Sequence, residues 1–301
     1  MKIVVAGLGR MGMQICRKLS EGGHEVGAYN RSPEKIELAV KFGAIATKTR
    51  DAVVEFFKGE QVILWLMIPA QAVDDELDEW LKVLPQNSII IDGGNSDYRQ
   101  TKKRSERIGD SFNFVDIGTS GGILGFKQGF SMMVGGSEAG FSKLKPALEI
   151  IAAPRGGFEY FGDAGSGHFV KMVHNAIEYG IMESLAEGYR ILEDGPYRSI
   201  DLAKAGEVWQ KSSVIESTLN RLASEAIKEN PKLDEIDGVV AETGETRWTL
   251  ETARDLQLDM PAIQASFDVR LRSQEGETNY ATKLLAAMRN KFGGHQINPE
   301  K

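Results

Sequence analysis

Apolar and polar positions follow two different rhythms along this chain. In the first half, short apolar runs rich in β-branched residues are separated by amphipathic stretches. Residues 2–7, 25–30, 61–67, 88–92, 112–117 and 131–135 read as strands, and residues 159–161 as a closing one. Helices are expected between them at 13–21, 74–83 and 98–108. This strand–helix repetition predicts an α/β domain with a Rossmann-like, doubly wound, mostly parallel sheet. From Gly167 the period changes to that of a helix. Residues 168–193 form one long periodic run that Asp194-Gly195-Pro196 stops. Further helices are expected at 201–211, 213–229, 247–257, 261–273 and 279–292, with no β-branched alternation among them. The expectation is a sheet domain over residues 1–164 followed by an all-α domain over residues 165–301.

The first strand runs straight into Gly7-Leu8-Gly9-Arg10-Met11-Gly12, and a helical pattern follows. In a G-x-G-x-x-G loop between strand and helix, the first glycine makes the tight turn. The second lets a diphosphate approach the backbone, and the third lets helix pack on strand. The anion then sits at a helix N-terminus, which favours negative charge. The second strand ends at Asn30-Arg31-Ser32, where an acid would hold the ribose hydroxyls of NAD. Arg31 can instead pair with a 2′-phosphate, and Ser32 can donate to it. NADP is therefore expected to be preferred, with NAD as the alternative. Met67, at the end of the third long strand, and Asn95 join the expected cofactor contacts.

Two glycine-rich loops follow strand carboxyl ends, where ligands bind in such sheets. They bring Asn95 and Ser96 after Gly93-Gly94, and Ser120 before Gly121 and Gly122. The basic run Lys102, Lys103, Arg104 and Arg107 on the helix between them reads as a solvated face.

The start of the long helix carries the most chemistry. At about 100° per residue, Lys171, His174, Asn175, Glu178 and Tyr179 share about 140° of arc. A core-facing stripe would be apolar. An amine and a carboxyl two turns apart suit a reaction that removes a proton at one point and delivers one at another. The bland counterpart is a polar helix face in a hydrogen-bonded network without chemistry. Further along, Arg270, Arg272, Arg289 and His295 supply cations.

Composition narrows the classes. At about 150 residues per domain, 301 residues suit two domains, and 42% hydrophobic residues suit packed cores. A net charge of -7 argues against a nucleic-acid partner. The single cysteine, Cys16, excludes a disulfide framework, and the four histidines show no metal-ligand spacing. No apolar run reaches about 18 residues, so no membrane span is expected. The chain opens on a strand without a signal-peptide pattern, which points to the cytoplasm.

These features resemble the decarboxylating 6-phosphogluconate dehydrogenases in their short form, within the β-hydroxyacid dehydrogenase superfamily. The resemblance rests on the glycine loop, Asp92-Gly93-Gly94-Asn95-Ser96, Thr119-Ser120-Gly121-Gly122, the segment from Gly167 to Asn175 with Glu178-Tyr179, Arg247-Trp248-Thr249, and Phe292-Gly293-Gly294-His295. It implies oxidation of 6-phosphogluconate at C3 with NADP or NAD, loss of C1 as CO2, and formation of ribulose 5-phosphate without a metal. Lys171 matches the base and Glu178 the acid, while Asn175 and His174 hold the substrate. Asn95, Ser96, Ser120, Gly121 and Gly122 match substrate loops, and Tyr179 and Arg270 phosphate contacts. Arg289 and His295 match tail residues that reach into a partner subunit's site. This implies a homodimer or homotetramer, and makes residues 165–301 a substrate and dimerisation domain. One departure stands out: the Glu242-Thr243-Gly244-Glu245 stretch occupies the place of a phosphate-binding lysine. Two other readings remain open: a non-decarboxylating 3-hydroxyacid dehydrogenase of the same superfamily, and a catalytically silent NADP-binding sensor.

The cofactor argument turns on one cation. Arg31→Ala is expected to lower the ratio of NADP to NAD affinity, measured by titrating both cofactors. An unchanged ratio removes the argument.

Overall fold

The computed structural model describes residues 1–297; the last four residues of the expected second domain lie outside them. The chain folds as two compact units, one spanning Met1–Met172 and a second beginning at Val173.

The first unit is built on one eight-stranded sheet. Its strands are β1 (Lys2–Ala6), β2 (Glu25–Tyr29), β3 (Ile45–Ala46), β4 (Ile63–Leu66), β5 (Ile89–Asp92), β6 (Asn113–Ser120), β7 (Ser131–Gly136) and β8 (Gly157–Tyr160). The helices among them are α1 (Arg10–Glu21), α2 (Pro33–Val40), α3 (Arg50–Phe57), α4 (Val73–Leu81), α5 (Tyr98–Ile108), α6 (Gly125–Gln128) and α7 (Glu138–Ala152). The strand order is β3-β2-β1-β4-β5-β6-β7-β8. All neighbours are parallel except β6 and β7, which run antiparallel. The mostly parallel, doubly wound sheet is as the sequence pattern predicts. Every residue of β4 and β5 is buried, as central parallel strands covered on both faces require. The order reverses between β1 and β4, so the loops after these two strands flank the crevice where such sheets bind ligands.

Several elements escape the sequence pattern. Helices α2 and α3 have eight residues each and β3 only two, too short for a clear period. Helix α7 contains Pro146, which reads as a breaker. Its start is nevertheless secured by Ser137, whose hydroxyl accepts the Gly140 N–H at 3.1 Å.

The long helix α8 (Ser166–Asp194) begins in the first unit and continues into the second. The second unit adds α9 (Leu202–Trp209), α10 (Thr218–Glu229), α11 (Glu245–Asp255), α12 (Pro261–Gln274) and α13 (Tyr280–Gly293). Helix α10 starts at Thr218, later than the expected residue 213. Ser217 caps it by accepting the Asn220 N–H at 3.0 Å, and a capping hydroxyl marks a helix start more sharply than apolar spacing does. This unit has its own core, in which Met182, Ala186 and Tyr189 of α8 pack with Ala223, Leu284, Leu285 and Met288.

One sequence reading is corrected. The cations of α5 read as a solvated face, yet Arg104 is buried. Its guanidinium donates to both carboxylate oxygens of Asp74, at 3.0 and 2.8 Å. It also donates to Asp92 Oδ2 at 3.1 Å, Ser96 Oγ at 3.2 Å and the Ala70 carbonyl at 3.3 Å. Arg104 therefore holds the loops after β4 and β5 together. The composition of the helix concealed this, because a charged period does not tell which cation turns inward. Arg104→Met would leave the fully buried Asp92 without its counter-ion. Removing one partner of a buried pair costs about 3–5 kcal/mol, so the urea midpoint of unfolding is expected to fall markedly. A midpoint within error of wild type would show the pair to be dispensable.

Candidate active site

The turn after β1 is built by glycine sterics. Gly7 has φ +99°, and a Cβ there would collide with the Met67 carbonyl oxygen. A Cβ on Gly12 would collide with the Gly7 carbonyl oxygen and come within 2.9 Å of Met67 Cβ. Gly9 differs: a Cβ there would meet nothing within 4 Å. It is the N-cap of α1 and brings no side chain to the first helical turn. Open space over an uncapped helix N-terminus fits a diphosphate, so the loop suits the dinucleotide. Asn30 turns out to be part of the scaffold. Its Oδ1 accepts the Leu8 N–H at 2.9 Å, and its Nδ2 donates to the Ser32 carbonyl at 3.3 Å. Arg31 and Ser32 beside it are exposed, as are Gly9 and Arg10, while Met11 is half-buried.

The loop after β5 separates its two candidates. Asn95 is exposed, whereas Ser96 is buried and donates to Asp92 Oδ2 at 2.9 Å. Ser96 thus belongs to the Arg104 network as well. At the end of β6, Ser120 precedes Gly121 (φ +132°) and Gly122 (φ +52°). That backbone sequence is one that other residues resist.

Lys171 is 6% exposed. A Cβ on Gly118 of β6 would collide with Lys171 Cβ and approach Cγ to 2.7 Å, so the lysine stem lies directly on the strand backbone. Asp116, two residues before Gly118, sets this contact. It is fully buried and accepts the N–H groups of Gly165 and His168, both at 2.8 Å. Its carboxylate is thus the cap of α8. Burial pushes the Asp116 carboxyl up, while His168 and the two N–H bonds pull against that. His168 Nδ1 shares a hydrogen bond with Thr101 Oγ1 at 2.8 Å. The sequence pattern does not single out Asp116. An acid on a strand 50 residues before a helix gives no local capping signal.

In the second unit, His174 Nδ1 and Asn175 Oδ1 share a hydrogen bond at 3.0 Å, and Glu178 Oε2 lies 4.0 Å from His174 Nδ1. Asn175 Nδ2 donates to Glu245 Oε1 at 2.8 Å. The two acids that stand where the long form has a phosphate-binding lysine both have partners within the fold. Glu245, buried at the start of α11, fixes the Asn175 amide, and Glu242 pairs with Arg247. Tyr179 is buried, and the Arg270 guanidinium carbon lies 3.2 Å from its ring centroid. Arg270 is 1% exposed, and burial lowers its pKa to about 10. Arg272 instead pairs with Glu277 at 3.7 Å, near the end of the same helix.

Arg289 is buried in α13. Burial lowers its pKa, while Tyr179, Glu178 and Glu245 raise it. Its charge faces Tyr179 and Glu178. His295 folds back on the end of α13, so that a Cβ on Gly293 would come within 2.7 Å of its Nε2. Among the described residues no group of three or more His, Cys, Asp or Glu is placed to hold a metal ion. No described helix is long and apolar enough to cross a membrane.

Comparison with known proteins identifies the family of both parts of the chain. The family model for the NAD binding domain of 6-phosphogluconate dehydrogenase matches residues 2–165. The model for the 6-phosphogluconate dehydrogenase C-terminal domain matches residues 167–292. A Bacillus subtilis protein named as a candidate 6-phosphogluconate dehydrogenase is 37% identical over 98% of both chains. The NAD(+)-dependent, decarboxylating 6-phosphogluconate dehydrogenase of Haloferax volcanii is 35% identical, covering 99% of this chain and 98% of that one. The solved 6-phosphogluconate dehydrogenase of Plasmodium falciparum, studied apo, with NADP+ and with 6-phosphogluconate, superposes with a TM-score of 0.81 at 27% identity. That match covers 96% of this chain and 70% of the longer one. With both of its parts matched and relatives of its own length, this chain belongs to the 6-phosphogluconate dehydrogenase family.

Proposed function

We propose that this chain catalyses the oxidative decarboxylation of 6-phosphogluconate to ribulose 5-phosphate and CO2. The observation that carries the proposal is the make-up of α8. Its start is locked to the sheet through Asp116, its lysine is seated on Gly118, and a carboxyl stands two turns on at Glu178. NADP is the preferred oxidant, with NAD as the alternative; bound at Gly7–Gly12 and Arg31, it supplies the acceptor for hydride from C3.

The chain's own groups handle the protons. Neutral Lys171 takes the C3 hydroxyl proton as hydride leaves C3, and together these losses leave a ketone next to the carbon bearing the carboxylate. Loss of CO2 then puts an electron pair on that ketone oxygen, and Lys171 returns its proton there. Glu178 delivers a proton to C1 of the resulting enediol while Lys171 takes the proton of the C2 hydroxyl, so that the C2 ketone of ribulose 5-phosphate forms. Asn175, its amide oriented by Glu245, and His174 hold the sugar hydroxyls, and Asn95, Ser120, Gly121 and Gly122 are further substrate contacts. Ser96 acts by shaping its loop. Tyr179 and Arg270 hold the phosphate, and Arg289 completes the site of a neighbouring copy.

We further propose a homodimer or homotetramer in which His295 reaches a neighbouring copy. Ile177, Ile181 and Ile191 are exposed on α8 and, with Ser184 and Gly188, fall on one helical stripe. We place the functional boundary at residues 164–165, just ahead of α8. The cytoplasm is the proposed site of action, consistent with the single, unpaired Cys16.

The deciding assay follows cofactor reduction and CO2 release with 6-phosphogluconate and with unphosphorylated gluconate, each with NADP and NAD. Cofactor reduction without CO2 would favour the non-decarboxylating alternative. Lys171→Met is expected to abolish reduction, and near wild-type turnover would remove its role as base. Glu178→Gln is expected to slow the final protonation more than hydride transfer, and so to shrink the primary deuterium isotope effect on C3. An isotope effect equal to that of wild type counts against the acid. Ile181→Glu is expected to shift the mass measured by light scattering toward the monomer.

A further inference from the structure

A buried group of charges in the second unit is only partly used by the proposed reaction. Arg270 lies over Tyr179, its Nη2 is 3.8 Å from Met182 Sδ, and its Nη1 is buried without a hydrogen-bond partner among the described residues. A ring face and a thioether stabilise a guanidinium weakly and leave its donors open. Glu183 follows Met182 and stands one turn beyond Tyr179 on α8. It is 7% exposed, and its Oε2 is also buried without a partner among the described residues. An incompletely bonded carboxyl and an incompletely bonded guanidinium thus occupy one interior. The charges that face Glu183 are Glu187 on its own helix and Arg270 and Arg272 from α12. Those that face Arg270 are Tyr179, Glu178 and Glu183 from α8 and Arg289 from α13.

We propose that Glu183 is a positioning residue for the phosphate subsite, a counter-ion that balances Arg270 when the subsite is empty and takes up a proton when the substrate's phosphate binds. This rests on the reading of Arg270 and Tyr179 as phosphate contacts. A buried cation needs a compensating charge, and an unpaired one is costly. A phosphate dianion on Arg270 supplies that charge and adds a like charge facing Glu183, which disfavours its ionised form. Glu183 is suited to this exchange. Burial first, then Glu187, raise its pKa to about 7 against the pull of the two arginines. Glu183 is therefore mostly ionised at pH 8 in the empty site, and the arriving phosphate raises its pKa further. Binding takes up a proton, and affinity weakens as pH rises above 7. At pH 8 a free phosphate, with its second pKa near about 6, has little proton left to exchange.

The test is calorimetric titration of the enzyme with 6-phosphogluconate at pH 8, without cofactor, in two buffers of different ionisation enthalpy. The proton count for wild type is expected to exceed that for Glu183→Gln by about half a proton or more. Glu183→Asp is expected to restore much of the difference, and unphosphorylated gluconate to show none. Wild type alone should lose affinity between pH 7 and 8.5 through this group. Equal proton counts in wild type and Glu183→Gln would overturn the proposal. Arg270→Gln in the same titration separates the two levels of the argument. If it binds as tightly as wild type, the phosphate assignment fails. If it weakens binding at least tenfold while Glu183→Gln leaves the proton count unchanged, only the role of Glu183 fails.

Discussion

The carboxylate of Asp116, buried beneath the first turn of α8, is the constraint on which the reactive part of this molecule depends. An ionised group in the interior is tolerated only when its hydrogen bonds are made. Here the N–H groups of Gly165 and His168 make them, and these are the donors a helix start leaves unmatched. The strand therefore ends up bonded to the helix through a buried carboxyl group, and the helix leaves the sheet from a defined point. Lys171 lies one turn past His168, so its stem comes down on Gly118. Glycines at 118, 135 and 167 belong to the same constraint. A Cβ on Gly135 would lie 2.7 Å from the Gly167 nitrogen, and one on Gly167 would lie 2.8 Å from the Asp116 carbonyl oxygen. Side chains at these positions would lift the helix away.

Two buried arginines show how burial alone fails to separate scaffold from site. Arg104 is fully matched, with two carboxylates, a hydroxyl and a carbonyl around its guanidinium. Such a cation has nothing left to offer a ligand, and its work is to tie two loops at the edge of the crevice. Arg270 is equally buried, but rests on a ring and a sulfur, with one nitrogen unmatched. The distinction lies in the hydrogen bonds still to be made, which Arg270 has and Arg104 lacks.

The cofactor turn shows a similar division of labour. Gly7 and Gly12 are required by what they touch, and Gly9 by what it leaves open. Asn30, at a position where an acid would recognise a ribose, instead secures the turn through the Leu8 N–H. This leaves Arg31 and Ser32 as the exposed polar groups beside it.

Much was legible in the sequence because it depends on local period and local sterics. The strand–helix alternation, the glycine turn and the one-sided stripe from Lys171 to Tyr179 are properties of neighbouring residues, whose geometry is nearly fixed by 3.6 and 2 residues per turn. Short elements such as α2, β3 and α3 fall below that resolution. What only the tertiary structure decided were pairings between distant residues: Asp116 with the start of α8, Arg104 with Asp74 and Asp92, Glu245 with Asn175, and Arg270 with Tyr179. Charged and polar side chains look alike along a chain whether they face water or the interior. Hydrogen-bond partners brought from elsewhere in the fold determine whether such a group is a solvated surface residue, a strut or part of a site.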